Sequence, residues 1–259
     1  MDEYFKIDYS HNKAKDSVVF KGKKYRISIL TERLIRLEYN ETGEFFDALT
    51  QRVINRDFPI PAYEIREDKR FLELSTKYFK LTYAKEKPFQ ASIVAPDANL
   101  KVVLQNTDKM WYFNHPEARN FKGTGVSLDE NSTKATFSKG LYSTDGFASL
   151  DDSDSLIISE SGELIQPTKK RVDTYLFIYR RDFGLCLRDY FMLTGRPALI
   201  PRYALGIWWN KEDVYSFEDT KKLVDFLAQN PDMYLPRVIY ASDQIKYEAM
   251  IEKIHQERI

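Results

Sequence analysis

Tyr25-Arg26-Ile27-Ser28-Ile29 and Ile35-Arg36-Leu37-Glu38-Tyr39 alternate apolar and polar side chains residue by residue. A two-residue period places the apolar groups of each run on one face of an extended chain, which predicts a half-buried β-strand. Phe79-Lys80-Leu81-Thr82-Tyr83 repeats the pattern, and the period-two signal extends from about Val18 to Tyr179. Between such runs stand Lys21-Gly22-Lys23, Asn40-Glu41-Thr42-Gly43, Asp145-Gly146 and Ser161-Gly162, the turn chemistry expected between antiparallel strands. Many short strands in series predict a mainly β fold, a sandwich.

Composition points the same way. A chain of 259 residues has room for one large domain or two modest ones with a real core. Aromatics make up 14%, with 17 Tyr and 17 Phe, residues suited to pleated, half-buried surfaces. The 39 Lys and Arg balance 39 Asp and Glu, so no basic excess exists to neutralise phosphates. Nucleic acid and anionic membrane are therefore not expected as partners. The longest strongly apolar stretches, such as Ala204 to Trp209, fall far short of the roughly 20 residues of a spanning helix. Cys186 is the single cysteine and cannot form an intrachain disulfide, and Met1-Asp2-Glu3-Tyr4-Phe5-Lys6 lacks the layout of a signal peptide. The expectation is a soluble, cytoplasmic chain.

The period changes near Asp182. Phe183, Leu187 and Phe191 stand four apart on one face of a predicted helix, and Gly195 is a natural left-handed stop. Arg196-Pro197-Ala198-Leu199-Ile200-Pro201 carries two prolines and reads as an extended connector. Beyond it, Ala204-Leu205-Gly206-Ile207-Trp208-Trp209 reads as a strand buried on both faces. Ser216 is a candidate N-cap for a helix with the stripe Thr220, Leu223, Val224 and Leu227, closed by Asn230-Pro231. Val238-Ile239-Tyr240-Ala241 reads as a second buried strand, and Tyr247, Met250, Ile251 and Ile254 as a last helix. The predicted division is a β-sandwich over residues 1–195 and a βαβα segment over 196–259.

Several kinds of chemistry find no motif here. His11, His115 and His255 have no second ligand at the i+3 or i+4 spacing of a zinc site, so no metal is expected. Gly123-Thr124-Gly125 lacks the third glycine of a dinucleotide loop and reads as a turn, and no nucleophile elbow occurs. Asp151-Asp152-Ser153-Asp154 lacks the glycine and distal Glu of a calcium loop and reads as a solvated turn. Asn40-Glu41-Thr42 and Asn131-Ser132-Thr133 match glycosylation sequons but carry no weight without a secretory signal. Cys186 reads as a small buried apolar residue.

Asn120-Phe121-Lys122-Gly123-Thr124 is followed by Gly140-Leu141-Tyr142-Ser143-Thr144-Asp145-Gly146-Phe147 and Asp151-Asp152-Ser153. Further on, Asp189-Tyr190-Phe191-Met192-Leu193-Thr194-Gly195-Arg196-Pro197 leads into Pro201-Arg202-Tyr203-Ala204-Leu205-Gly206-Ile207-Trp208-Trp209. In this order the segments resemble the N-terminal half of glycoside hydrolase family 31, the α-glucosidases and α-xylosidases, from about residue 20 to 241. The resemblance implies a galactose-mutarotase-like antiparallel β-sandwich followed by the start of a (β/α)₈ barrel. It also implies cleavage or transfer at an α-glycosidic bond with retention, by a carboxylate nucleophile and a carboxylic acid/base, without cofactor.

In that family both catalytic groups are aspartates of later barrel strands. Past Pro201 only 58 residues remain, against about 250 for a full barrel, so the catalytic aspartates are expected to be absent and the chain alone inactive. The acidic pairs Glu212-Asp213 and Glu218-Asp219 read as a loop and as charge at a helix N-terminus. After the first barrel strand the family places an aromatic wall, where this chain has Asn210-Lys211-Glu212-Asp213. After the second, a hydroxyl-binding Asp is implied; direct alignment puts Ser242 there and Asp243 one residue late. Asp243 is thus a candidate sugar ligand or a solvated loop carboxylate. Trp208 and Trp209 are candidates for stacking on a pyranose ring, or core residues of a buried strand.

The leading expectation is the N-terminal part of an α-glycosidase acting on α-linked oligosaccharides or glycosides. Its partner would be a separately encoded remainder of the barrel, or a second copy associating through the exposed barrel units. The alternative is a carbohydrate-binding or barrel-docking β-sandwich module. A third class, a sugar epimerase, needs a His acid and a carboxylate base; His115, beside Trp111, Tyr112 and Phe113, is its candidate, against a plain loop histidine before Pro116.

Overall fold

The computed structural model describes residues 8–90, 99–124, 137–168, 170–197 and 217–229. The chain divides into two compact units, Met1–Arg196 and Pro197–Ile259. In the first unit two 3₁₀ turns, Tyr9–His11 and Asp16–Val18, precede the strands β1 (Val19–Lys21), β2 (Tyr25–Thr31), β3 (Leu34–Tyr39), β4 (Glu64–Glu67), β5 (Phe71–Ser75), β6 (Phe79–Ala84) and β7 (Leu100–Leu104). There follow β8 (Met110–Tyr112), β9 (Gly123–Thr124), β10 (Phe137–Ser138), β11 (Phe147–Asp151), β12 (Ile157–Ile158), β13 (Leu164–Ile165), β14 (Val172–Ile178) and the helix α1 (Phe183–Thr194). In the second unit the helix α2 spans Phe217–Gln229, and its predicted stop at Asn230-Pro231 lies outside the described residues.

Two five-stranded antiparallel sheets carry the fold, one ordered β1-β2-β3-β14-β11 and the other β4-β5-β6-β7-β8. The first sheet presents Ile27, Ile29, Ile35, Leu37, Leu176 and Ile178 to Leu72, Leu74, Leu81, Tyr83, Val102 and Trp111 of the second, in one apolar core. Burying each such side chain contributes about 1.5–3 kcal/mol, and interdigitation of two inner faces is what makes a sandwich. The predicted mainly β, antiparallel sandwich is the observed architecture.

In the second sheet β5 to β8 obey the simple alternation, while β4 is exposed throughout. In β6, Phe79, Leu81 and Tyr83 are buried while Lys80 stands in solvent. The first sheet does not, because every residue of β3 is buried. The half-buried strand expected at Ile35–Tyr39 is therefore covered on both faces. Its outer face is roofed by irregular chain from residues 45–58 and by α1.

Register organises that outer face into rows. Lys21 pairs with Arg26 and Arg26 with Glu38, which lies opposite Asp173. The next row runs Val19, Ser28, Arg36, Tyr175 and Leu150, and beyond it Leu34, Phe177 and Ala148 stand abreast. One end of the face is thus ionic. The other is apolar and packs with Val53, Phe58, Cys186 and Leu193 in a second core.

Helix α1 docks differently from its predicted stripe. Its buried residues are Cys186, Asp189 and Leu193, whereas Leu187 is exposed and Phe183 and Phe191 are only half-buried. The reason is the turn between β2 and β3. Arg33 grips the Asp189 carboxylate through Nε (2.8 Å) and Nη2 (3.1 Å), and Thr31 Oγ1 donates to it at 3.0 Å. Cys186 is buried as expected, and its burial pushes the thiol pKa up. Gly195 ends the helix with φ +84° and ψ 163°, a conformation open to glycine but not the left-handed helical one expected.

Two further expectations are corrected. Gly123-Thr124 is extended and pairs with Phe137-Ser138, so it is strand and not turn. The segment after Asp151 is a turn, but Asp152 is fully buried, its Oδ1 and Oδ2 accepting from Thr50 Oγ1 at 2.9 and 3.0 Å. A polar run looks solvated in sequence; here the roof at Thr50 supplies the hydroxyl that lets the carboxylate go inside.

Candidate functional site

Two of the segments that carry the family resemblance, residues 120–124 and 140–147, meet in space. Asn120, nearly buried, donates from Nδ2 to the carbonyl of Gly140 (2.8 Å) and accepts at Oδ1 from the amides of Gly140 and Lys122 (both 2.8 Å). One side chain thus satisfies both backbone groups of Gly140. The amide of Phe121 donates to Tyr142 O (2.8 Å) and that of Thr144 to Arg119 O (3.1 Å), continuing the stitch. A Cβ on Gly140 would lie 2.8 Å from Lys122 O, which explains the glycine at this crossing.

Ser143 and Gly146 anchor the other side. Ser143 Oγ donates to Phe147 O (2.6 Å), and the Ser143 amide donates to Tyr179 Oη (2.6 Å). Gly146 O accepts from the amides of Tyr179 (2.9 Å) and Arg180 (2.8 Å). Gly146 has φ +78°, and a Cβ there would meet Arg180 Cα at 2.6 Å. The hydrogen-bonding capacity of Asn120 and Ser143 is spent on backbone, so these residues position the β9–β10 excursion. Phe121 and Phe137 stand on it as large exposed side chains.

His115, the candidate acid, sits half-buried between the rings of Tyr112 and Phe147. Its Nδ1 accepts from the Glu117 amide at 3.0 Å, and burial lowers its pKa. Glu117 is buried with φ +49°, and its Oε1 accepts from the Ser149 amide (3.0 Å) and from Ser149 Oγ. That amide lies on β11, the outermost strand of its sheet, so Glu117 caps an edge that would otherwise offer a free donor. The pair holds a sheet edge closed, and the carboxylate is placed for that task rather than for proton abstraction.

Sequence inspection missed the ionic array on the outer face of the first sheet. Arg26 takes Glu38 through Nε (2.6 Å) and Nη2 (2.8 Å), and Asp47 through Nη2 (2.7 Å) and Nη1 (3.0 Å). Arg36 takes Asp173 through Nη2 (2.6 Å) and Nε (2.8 Å), Asp47 Oδ1 through Nη1 (3.1 Å), and Phe46 O through Nη2 (2.9 Å). Arg56, 1% exposed, donates from Nε to Tyr175 Oη (2.6 Å), while its Nη2 lies 4.0 Å from Asp152 Oδ2 without a hydrogen bond.

Burial disfavours every one of these charges, and pairing decides the outcome. For Asp173 burial is the largest influence and would raise its pKa, yet the Arg36 guanidinium holds it below the usual carboxylate range. Asp47 is held low in the same way by Arg26. At Asp152 burial prevails and raises the pKa, with Asp173 adding to it. The signal in the sequence was the opposite charges in the polar slots of consecutive strands, Arg26, Arg36 and Glu38; it is readable only once the strands are paired.

The sequence-predicted sugar contacts Asp243, Trp208 and Trp209 lie outside the described residues, as do Ser242, the Asn210–Asp213 segment and both predicted barrel strands. Among the described residues no three His, Cys, Asp or Glu side chains gather to hold a metal ion, and no helix is long and apolar enough to cross a membrane.

An uncharacterized protein from Listeria monocytogenes superposes with a TM-score of 0.53 at 12% identity, over 87% of this chain and 26% of its own. The cycloalternan-forming enzyme from Listeria monocytogenes, solved with a pentasaccharide substrate, gives 0.52 at 13% identity over the same shares. The chain shares their fold. A GH31 dextranase from Flavobacterium johnsoniae, solved with glucose, is also similar, with a TM-score of 0.47 at 12% identity over 82% of this chain and 31% of its own. The chain therefore spans between a quarter and a third of the length of these structures. No family model and no curated protein matches the sequence.

Proposed function

We propose that the chain supplies the β-sandwich and the first barrel units of a family 31 glycoside hydrolase acting on α-linked O-glycosyl bonds with retention of configuration. The carrying observation is the junction at Asn120. Two of the segments that resemble the family come together; Asn120, Gly140, Ser143 and Gly146 build one crossing in which each residue type has a stated reason. That crossing lies in a sandwich sharing the fold of a cycloalternan-forming enzyme. The substrate class is an α-linked glucan or glycoside. Asp243 binds a sugar hydroxyl, and Trp208 or Trp209 faces the ring.

On this proposal the two catalytic carboxylates belong to barrel strands beyond the two units read in the sequence, and the 259-residue polypeptide by itself hydrolyses nothing. The purified chain is assayed against chromogenic α-glucosides and α-xylosides. No turnover is expected; turnover abolished by Asp243→Ala would overturn the proposed division of labour. Supplying the remaining barrel units of a family 31 enzyme in trans is expected to give hydrolysis with retained anomeric configuration, read by NMR of the first-formed sugar. An inverted product would remove the family assignment.

A further inference from the structure

A cleft of about 400 Å³ opens over the ionic end of the first sheet, between β1, the residues just before it and the roof at Asp47. That volume falls in the range of small-molecule sites, about 300–1,000 Å³. Its floor is set by register: Val19, Ser28 and Arg36 lie abreast, with Lys21 and Arg26 in the next row. Lys13, Asp16 and Asp47 complete the polar lining.

Two features of the floor point to a ligand. Ser28 is 2% exposed and lines the cleft, yet its hydroxyl has no hydrogen-bond partner among the described residues. Arg36 is equally buried, and its Nη1 makes one hydrogen bond, to Asp47, of the two it can donate. The Ser28 hydroxyl is not sealed from the cleft, so its partner is water or a ligand there, beside an Arg36 Nη1 with a donor to spare.

Charge selects the ligand. Around the cleft Lys13, Lys21, Arg26 and Arg36 are matched by Asp16, Asp47, Glu38 and Asp173. An added anion would compete with carboxylates already held in two-point contact, and an added cation would face two guanidinium groups. A neutral molecule with adjacent hydroxyls meets neither obstacle. It accepts from Arg36 and the lysines and donates to Asp47 and Asp16. We propose that this cleft binds a neutral polyol of monosaccharide size. The inference is independent of the family proposal, since the cleft is built wholly from the sandwich.

The full chain, labelled with ¹⁵N, is titrated with glucose and, in parallel, with inorganic phosphate. Saturable shifts of the Val19 and Ser28 amides are expected with glucose and not with phosphate. Ser28→Ala removes a hydroxyl that no other residue uses, so its Tm is expected to stay unchanged while glucose affinity falls about fivefold. Three results would each overturn the proposal: no saturable shift with glucose, saturation by phosphate instead, or undiminished affinity in Ser28→Ala. None of them bears on hydrolysis in trans, so this inference and the family proposal fail separately.

Discussion

Asp173 is wholly buried and holds Arg36 at two points, so removing its charge strands a guanidinium inside the protein. Asp173→Asn is expected to destabilise the chain by about 3 kcal/mol, read as a lower urea midpoint. Asp152→Asn is expected to cost far less, because burial already disfavours that carboxylate and Thr50 can still donate to the amide oxygen. The pH dependence comes from the directions of the shifts. Asp47 and Asp173 titrate lower folded than unfolded, so their contribution is complete above about pH 4 and is lost as pH falls through their folded values. Asp152 acts oppositely, its unfavourable charge being relieved as pH falls through its raised folded value. Acid unfolding is therefore expected below about pH 4, with a shallower slope in Asp173→Asn, monitored by circular dichroism.

The glycines separate positional demand from tolerance. Gly146→Ala places a Cβ against Arg180 Cα at positive φ and is expected to cost more than about 1 kcal/mol, with a fall in Tm. Gly123→Ala meets nothing within 4 Å and is expected to leave Tm within error, although both glycines belong to the same motif region. Strand β6 of the second sheet was legible because its outer face meets water, so alternation maps directly onto burial. Strand β3 was legible as a strand but not as a buried one. The chain that roofs it, residues 45–58, has almost no regular structure and hence no period to read. The face of α1 was misjudged for a related reason: its central buried residue is Asp189, an ion-pair partner that an apolar stripe cannot include.

At the scale of the molecule the first unit has two apolar clusters and an ionic face whose described members all belong to it. A fragment ending at Arg196 is therefore expected to unfold cooperatively with a Tm close to that of the full chain; a broad, non-cooperative transition would show that the sandwich depends on the second unit. The candidate site was legible in part. Motif residues from Asn120 to Gly146 were visible in the sequence, but their work is to hold backbone, and that requires seeing Gly140 beside Lys122. The cleft over Ser28 left no trace, because a serine in the polar slot of a strand looks like any solvent-facing residue.

The pairing of β3 with β14 has a consequence for how the protein is made. Arg36 and Asp173 are 137 residues apart, and β14 lies between the central strand β3 and the edge strand β11. As synthesis runs from the N-terminus, β2 and β3 emerge with their arginines hydrated and their outer edge open. They cannot complete the sheet until residue 178 has left the ribosome. Long-range closure of this kind makes for slow folding and a prolonged exposure of strand edges. Placing charges in the middle of the sheet keeps the waiting strands soluble, and Asp173 on the last strand to arrive completes the pairing of Arg36.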